Sequence, residues 1–392
     1  MHPMDRTHPP RPLRVLVVGA GWPMETFIER LLTGLAAEGF ELTLESKGKP
    51  DTAWLRQHGI AWQFGPRPFV RADVVGQARR NGAAAVLNSI GRAASTAVRG
   101  PTPLVGAFDV VYAPWLNTLI DHPRLRRCGL PVLTSCRGAL VTVAPWDPGR
   151  PGYASELGAV FQDATLVHCV SDAIVADAAG FGLDPAKARV IRPAVDPAVF
   201  RPRVSPPPVG ERLRLVAVGG LTWRKDYEHA LMAVRRAVDL GADVSLDLVG
   251  DGEDRQHLEF ATADLQLMDR VTLLGRLPPA EILTRLQQSH AFLHTSSSEG
   301  ISNAVLEAMA TGLPVVTTGA GGMGEAVRNG VDGMVVGVRD TEGIASAIAE
   351  LAANPERRQA MGASARERVV SAFSLSQQIK DFGALLQEVV GL

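Results

Sequence analysis

The sequence has little cysteine and almost no net charge. Its three cysteines, Cys128, Cys136 and Cys169, are odd in number and lack the spacing of a metal or redox motif. We expect them to be reduced packing residues, which favours a cytoplasmic protein over one from an oxidising compartment. The formal net charge is −1. Such a balance gives no general attraction to polyanions, so we expect no nucleic-acid partner.

Long apolar runs and metal-binding patterns are also missing. No stretch approaches the about 18 residues that a membrane-spanning helix needs, and Met1–Pro12 lacks the apolar core of a signal peptide. Asp251 and Glu253 stand in a turn without the carboxylate cluster or histidine-rich spacing of a metal site. We therefore expect neither a catalytic metal nor a resident cofactor.

Short apolar segments alternate with amphipathic helical segments, such as the predicted helix at residues 25–37, and this alternation occurs twice. The segments predicted as strands are Leu13–Val18, Glu41–Leu44, Val110–Tyr112, Val132–Ser135, Leu166–Cys169 and Val190–Arg192, then Leu213–Val218, Ser245–Val249, Val271–Leu274, Phe292–His294, Val315–Thr317 and Met334–Val336. We predict an α/β protein with Rossmann-like domains at 13–200 and 211–374, a proline-rich linker at 201–210 and a final helix at 375–392. Ligands of such sheets bind beyond the carboxyl ends of the strands, which places a site between the domains.

The turn after the first strand, residues 19–24, allows two interpretations. It is similar to the fingerprint of dinucleotide-binding enzymes, but Met24 stands where the third glycine belongs and Pro23 interrupts the helix start. A nicotinamide-dependent enzyme is therefore one alternative. The other is that the backbone at Gly21 comes close to a sugar or phosphate in the cleft.

The most informative segment is Glu299–Glu307, which places two carboxylates eight residues apart across a loop and the first turns of a helix. Ser302 is the predicted N-cap of that helix. The N–H groups of residues 303–305 then lack partners within the helix, and its dipole attracts phosphate. Phosphate held between two hydroxyl-binding carboxylates describes a nucleotide-sugar site.

Residues 296–333 resemble the donor-binding core of family 4 of the retaining glycosyltransferases, with its Glu-x7-Glu motif and the trailing Gly-Gly-x-x-Glu turn that ends at Glu325. The resemblance implies the GT-B fold, in which two Rossmann-like domains face each other across a cleft and a C-terminal helix crosses back to the first domain. It also implies retaining transfer of a hexose-type sugar from a UDP- or GDP-sugar to an acceptor hydroxyl in glycan, glycolipid or natural-product biosynthesis.

The resemblance assigns roles to individual residues. Glu299 would hold the hydroxyl groups of the sugar, Lys225 and the N–H groups near Asn303 would neutralise the leaving diphosphate, and Glu307 would hold the ribose. Gly220 stands where the family has an arginine, so Arg224 is the candidate replacement. The other donor-binding positions that we predict are Gly21, Arg276, Leu277, Gly300, Ile301 and Ser302.

On the acceptor side, Arg137 stands where many relatives have a histidine. A guanidinium is always protonated, so it excludes a general base there, although it can bond a sugar hydroxyl or an acceptor phosphate. Residues 67–99 hold six arginines and one acid, Asp73. Such a surface suits peripheral contact with an anionic membrane or is simply a solvated helix face.

Other functions remain open on the same fold. A nucleotide-sugar epimerase or a sugar phosphorylase would use the same two-domain plan. A protein that binds nucleotide sugars without transferring them is a third, non-enzymatic alternative.

Overall fold

The first half of the chain forms one parallel sheet. The computed structural model describes residues 11–46, 48–65, 104–203 and 212–391. The strands of the first sheet are β1 (Arg14–Val18), β2 (Glu41–Ser46), β3 (Ala61–Phe64), β4 (Val110–Ala113), β5 (Val132–Cys136), β6 (Leu166–Cys169) and β7 (Ala188–Val190). They lie in the order β3-β2-β1-β4-β5-β6-β7, and all neighbouring strands are parallel.

Helices cover both faces of this sheet, as its apolar strands require. Val15 to Val18 of β1 are each 1% exposed, which is typical of strands that are buried on both faces. The α-helices among the described residues of this half are α1 (Thr26–Ala37), α2 (Thr52–His58), α3 (Leu116–Asp121), α4 (Ala139–Thr142), α5 (Tyr153–Asp163) and α6 (Asp172–Ala179).

The second half repeats the plan with a six-stranded parallel sheet in the order β10-β9-β8-β11-β12-β13. Its strands are β8 (Leu213–Val218), β9 (Val244–Val249), β10 (Val271–Gly275), β11 (Ala291–His294), β12 (Val315–Thr318) and β13 (Gly333–Val336). The helices are α7 (Tyr227–Asp239), α8 (Arg255–Asp264), α9 (Pro279–Gln288), α10 (Asn303–Ala310), α11 (Met323–Ala326), α12 (Thr341–Ala353), α13 (Pro355–Ala372) and α14 (Leu375–Val389). The predicted α/β architecture is confirmed.

The last helix returns to the first sheet. Helix α13 packs on α10 of the second half, whereas α14 packs on α1 of the first. Gly34 of α1 leaves room for Ile379, since a Cβ at Gly34 would lie 2.2 Å from Cδ1 of that side chain. Phe382 is fully buried, and its ring centroid is 5.1 Å from that of Tyr112. The predicted crossing of the C-terminal helix is therefore confirmed.

One strand prediction was wrong in its position. We predicted Val190–Arg192, but β7 spans Ala188–Val190. Its neighbour β6 ends at Cys169, whose register partner is Val190, so residues beyond Val190 have no strand to pair with. Strand β3 was missed altogether, because this edge strand is only half-buried and carries an exposed Phe64.

Two predictions concern residues beyond those described. The arginine-rich segment 67–99 lies outside the described ranges, as does most of the predicted linker at 201–210. Among the residues that the structure does describe, none of the helices combines the length and apolar character that crossing a bilayer requires.

Candidate functional site

The N-terminus of α10 lies where the two halves of the molecule meet. Ser302 is its N-cap, as predicted, but the serine hydroxyl makes no capping hydrogen bond. Oδ1 of the next residue, Asn303, is buried and accepts no hydrogen bond from the described part of the protein. The first N–H groups of an α-helix have no partner within the helix. This end of α10 therefore offers several donors to a ligand.

Glu299 and Lys225 form an ion pair beside this helix end. Nζ of Lys225 lies 2.5 Å from Oε2 of Glu299, and the two side chains are about one-fifth exposed. Burial raises the pKa of the Glu299 carboxyl. The close contact with His294 and the charge of Lys225 more than offset this effect of burial, and they hold the pKa well below its usual range. The Glu299 carboxyl group is therefore ionised at neutral pH.

Hydrogen bonds between two loops hold this pair together. The carbonyl of Arg224 accepts from the N–H of Ser297 at 2.8 Å, and the carbonyl of Lys225 accepts from the hydroxyl of Thr295 at 2.9 Å. Asp226 has left-handed backbone angles, with φ 54°, and its Oδ2 accepts from the hydroxyl of Ser297 at 2.5 Å. The turn that carries Lys225 is therefore fixed to the loop that leads to Glu299.

His294 lies next to the Glu299 carboxylate and was not predicted as a site residue. Its Nε2 lies 3.6 Å from Oε2 of Glu299, and its Nδ1 lies 3.0 Å from Oγ1 of Thr317. Burial lowers the pKa of His294, so the imidazole is neutral. A histidine at the end of an otherwise apolar strand was the available signal in the sequence.

Backbone segments from both domains contact the loop at Glu299 and Gly300. A Cβ at Gly138 would lie 3.0 Å from the N of Gly300, and Gly138 has φ 56°. On the other side, a Cβ at Gly321 would lie 1.9 Å from the carbonyl oxygen of Glu299. Glycine is required at these positions because three backbone segments stack there.

Arg137, just before this stack, lies against α1. Its Cζ is 4.8 Å from the centroid of the Phe27 ring. Nε of Arg137 is buried and has no hydrogen-bond partner among the described atoms. The side chain lines a small cavity together with Phe27, Arg30 and Pro193. The predicted acceptor residue is therefore adjacent to the Glu299 loop, and its contact with an acceptor stays a prediction.

Glu325, from the Gly-Gly-x-x-Glu turn, connects the two domains. Its Oε1 accepts from the N–H of Ala173 at 3.0 Å, in the first turn of α6, and its Oε2 accepts from Nη2 of Arg192 at 2.7 Å. Burial raises the pKa of this carboxyl, but these contacts more than offset it and lower the pKa. Nearby, the hydroxyls of Thr142 and Ser298 are 2.6 Å apart across the same interface.

Glu307 lies in the second turn of α10 and is 20% exposed. Burial raises its pKa to about 7, and the charge of Arg30, 3.9 Å away on α1, opposes that rise. The carboxylate accepts no hydrogen bond from the residues that the structure describes, so its oxygens are available to a ligand. This position fits the predicted ribose ligand.

The other predicted residues differ in what they present. Arg224 is half-buried, and its side chain forms no ion pair with any described residue, while Arg276 is exposed. Ile301 and Leu277 pack into the second-domain core, so they offer backbone groups. Gly21 is exposed, and a Cβ there would meet only the carbonyl of Pro23 at 3.9 Å. Close backbone approach at Gly21 remains a prediction.

Comparison with known proteins matches both halves of the chain to glycosyltransferase families. Residues 24–199 match the model for Glycosyltransferase Family 4, and residues 203–368 match that for Glycosyl transferases group 1. The first match includes residues 47–106, in which the sequence shows no recognisable motif of the family.

Several curated proteins are similar to part of this chain. Glycogen synthase of Mycobacterium tuberculosis is 29% identical over 229 residues, which are 57% of this chain and 54% of the relative. The putative colanic acid biosynthesis glycosyltransferase WcaL of Salmonella typhimurium is 29% identical over 244 residues, 60% of each protein. The chain thus spans little more than half the length of these relatives.

Solved structures match nearly the whole chain. The UDP-glucose complex of Anabaena Alr3699/HepE has a TM-score of 0.73 at 18% identity, covering 96% of this chain and 100% of that one. Sucrose-phosphate synthase from Thermosynechococcus elongatus has a TM-score of 0.76 at 18% identity, covering 97% and 99%. These similarities confirm the predicted fold. With both halves matched to the family, this chain belongs to glycosyltransferase family 4 and has the GT-B fold.

Proposed function

We propose that this protein is a retaining glycosyltransferase that moves a hexose-type sugar from a UDP- or GDP-sugar to an acceptor hydroxyl. The observation that carries the proposal is the Lys225–Glu299 ion pair at the open N-terminus of α10, covered by the first domain at Gly138. The UDP-glucose complex of Anabaena HepE, on the same fold, supports a nucleotide-sugar donor. The names of the curated relatives support transfer to a glycan.

The donor site follows from the charges. The N–H groups at the start of α10 and the Lys225 ammonium would bind the diphosphate and stabilise it as it leaves. Glu299, kept ionised by its neighbours, would accept hydrogen bonds from the sugar and favour positive charge at the anomeric carbon. Glu307 would accept the ribose hydroxyls. Lys225, the N–H groups of α10 and Glu299 would stabilise charges that develop in the transition state. Glu307 would bind the ribose, which does not react.

The reaction breaks the bond between the anomeric carbon and the β-phosphate oxygen and forms a bond to the acceptor oxygen. We propose front-face attack, in which the departing phosphate takes the acceptor proton and the configuration is retained. Arg137 would bond an acceptor hydroxyl or phosphate, because its guanidinium cannot remove a proton. No metal or cofactor has a role in this scheme.

The location of the protein is a further proposal. We propose a cytoplasmic enzyme whose segment 67–99, with six arginines and one acid, contacts an anionic membrane. Sedimentation with vesicles of phosphatidylserine and phosphatidylcholine, compared with phosphatidylcholine alone, tests it. Equal sedimentation with both would contradict the proposal and leave the arginines as a solvated surface.

A panel of nucleotide sugars tests the main proposal. A ligand at 100 times its dissociation constant stabilises the folded protein by about 2.7 kcal/mol, so the donor will raise the unfolding temperature most. The transferase should also hydrolyse that donor slowly without an acceptor. A binding protein would give the shift without hydrolysis, an epimerase would return an isomerised nucleotide sugar, and a phosphorylase would need inorganic phosphate. A response to NAD alone would refute the proposal.

A further inference from the structure

Arg30 and Glu307 form an ion pair across the domain interface. Arg30 lies in the second turn of α1, and Glu307 lies in the second turn of α10. Nη1 of Arg30 is 3.9 Å from Oε1 of Glu307, and the side chains are 25% and 20% exposed. Groups this far apart attract without forming a hydrogen bond. The oxygens of Glu307 therefore keep their lone pairs for other donors.

The guanidinium of Arg30 also lies near an aromatic ring. Cζ of Arg30 lies 5.7 Å from the ring centroid of Phe200, which is 3% exposed and packs in the core around α10. The guanidinium thus lies near both the Phe200 ring and the Glu307 carboxylate. The attraction of the ring helps to hold the guanidinium near the carboxylate.

The other cations next to α10 have different partners. Arg366 of α13, the helix that packs on α10, donates to the backbone carbonyls of Phe200 and Ala310. Lys225 is bound to Glu299. Within the part of the chain that the structure describes, Arg30 is the one charged residue that forms an ion pair with Glu307.

We infer that Arg30 is a positioning residue, which keeps Glu307 ionised and directed into the cleft so that it can receive the ribose of the donor. The inference rests on the proposed role of Glu307. An ionised carboxylate accepts hydrogen bonds at both oxygens, whereas a protonated one must use an oxygen as a donor. Because burial raises the pKa of Glu307 to about 7, its charge at neutral pH depends on a nearby cation.

The inference gives the first domain a part in donor binding. The cation belongs to α1 and the carboxylate to α10, so they meet only when the domains are as close as they are here. Separation of the domains would leave the Glu307 carboxylate without the cation that holds it in place. Tight binding of the ribose then requires the cleft to be closed.

Calorimetric titration of Arg30→Gln with UDP-glucose and GDP-mannose between pH 6 and pH 8.5 tests the inference. Both phosphates of these probes are esterified, so their charge stays constant over this range. An opposite charge this close lowers the pKa of an acid by about one unit or more. Removing the charge of Arg30 should therefore raise the pH at the midpoint of the affinity–pH curve by about one unit. The affinity of the variant should be about fivefold lower at pH 7 and within twofold of wild type at pH 8.5.

Three controls make the result specific. Arg30→Lys keeps the charge and should keep the inflection near that of wild type. Arg56→Gln removes one exposed arginine from α2, outside the cleft, and should change nothing. A uniform loss of affinity at every pH in Arg30→Gln, or no loss at all, would overturn the inference. Unchanged affinity in Glu307→Gln would instead refute the proposed role of Glu307.

Discussion

Replacing Glu307 with glutamine should stabilise the free protein while it weakens donor binding. Glutamine has nearly the same size but no charge to bury. The pKa of Glu307 is raised from 4.5 to about 7, chiefly by burial. One pKa unit corresponds to about 1.4 kcal/mol, so the ionised side chain lowers the free energy of unfolding by about 3.5 kcal/mol at most. Since Glu307 is 20% exposed, about 1–3 kcal/mol is expected.

The effect should depend on pH in a defined direction. The folded protein binds the Glu307 proton more tightly than the unfolded chain does, so this residue lowers stability as pH rises from about 4.5 to about 7. Above pH 7 the destabilisation by Glu307 is constant, and below pH 4.5 it disappears. Urea unfolding of wild type and variant at pH 5 and pH 8 should therefore show the larger gain for the variant at pH 8.

Donor binding should change in the opposite direction. Loss of a charged hydrogen bond to the ribose costs about 1–3 kcal/mol, or about 5- to 150-fold in the dissociation constant, which calorimetry with the nucleotide sugar measures. A variant that is less stable than wild type at pH 8, or shifted equally at both pH values, would refute the reasoning about burial. Unchanged affinity in a folded variant would remove Glu307 from the site.

Three further predictions concern the phosphate site and the domain interface. Activity should persist in EDTA, because Lys225 and the N-terminus of α10 carry the phosphate charge; loss on chelation with rescue by Mg²⁺ or Mn²⁺ would contradict this. Arg224→Ala should lower turnover at least tenfold, about 1.4 kcal/mol in the barrier, and Gly220→Arg should restore part of it, since a Cβ at Gly220 has no neighbour closer than 3.8 Å. Lys225→Ala should be worse in either background, whereas wild-type turnover in Arg224→Ala would remove Arg224 from the site. Glu325→Gln should lower turnover severalfold and enlarge the ligand-free protein in X-ray scattering, because it weakens the contact with Arg192; unchanged scattering and turnover would show that this contact does not hold the domains.

Most of the sheet architecture could be predicted because buried parallel strands have continuous apolar sequence. Strand ends were less predictable, since β7 ends where its neighbour β6 ends rather than where its own apolar character does. The half-buried edge strand β3 lacks the apolar pattern that identified the others. Local sequence therefore predicts a central strand better than an edge strand.

The candidate site shows the same division between local and distant information. The positions of Glu299, Ser302 and Glu307 follow from one loop and one helix, so their spacing could be interpreted directly. The contact between Lys225 and Glu299 depends on β8 and β11 being neighbours in the sheet. The pairing of Arg30 with Glu307 depends on the packing of two domains, and no pattern in either segment indicates it.

The return of α14 to the first domain has a consequence for folding during synthesis. Domains ordinarily fold in the order in which they leave the ribosome. Here the core around Tyr112 is completed by Phe382, which is made only after the entire second sheet. The first domain must therefore wait, with part of its apolar surface uncovered, until the second has been synthesised. The order of synthesis and the order of completion are thus reversed in this chain.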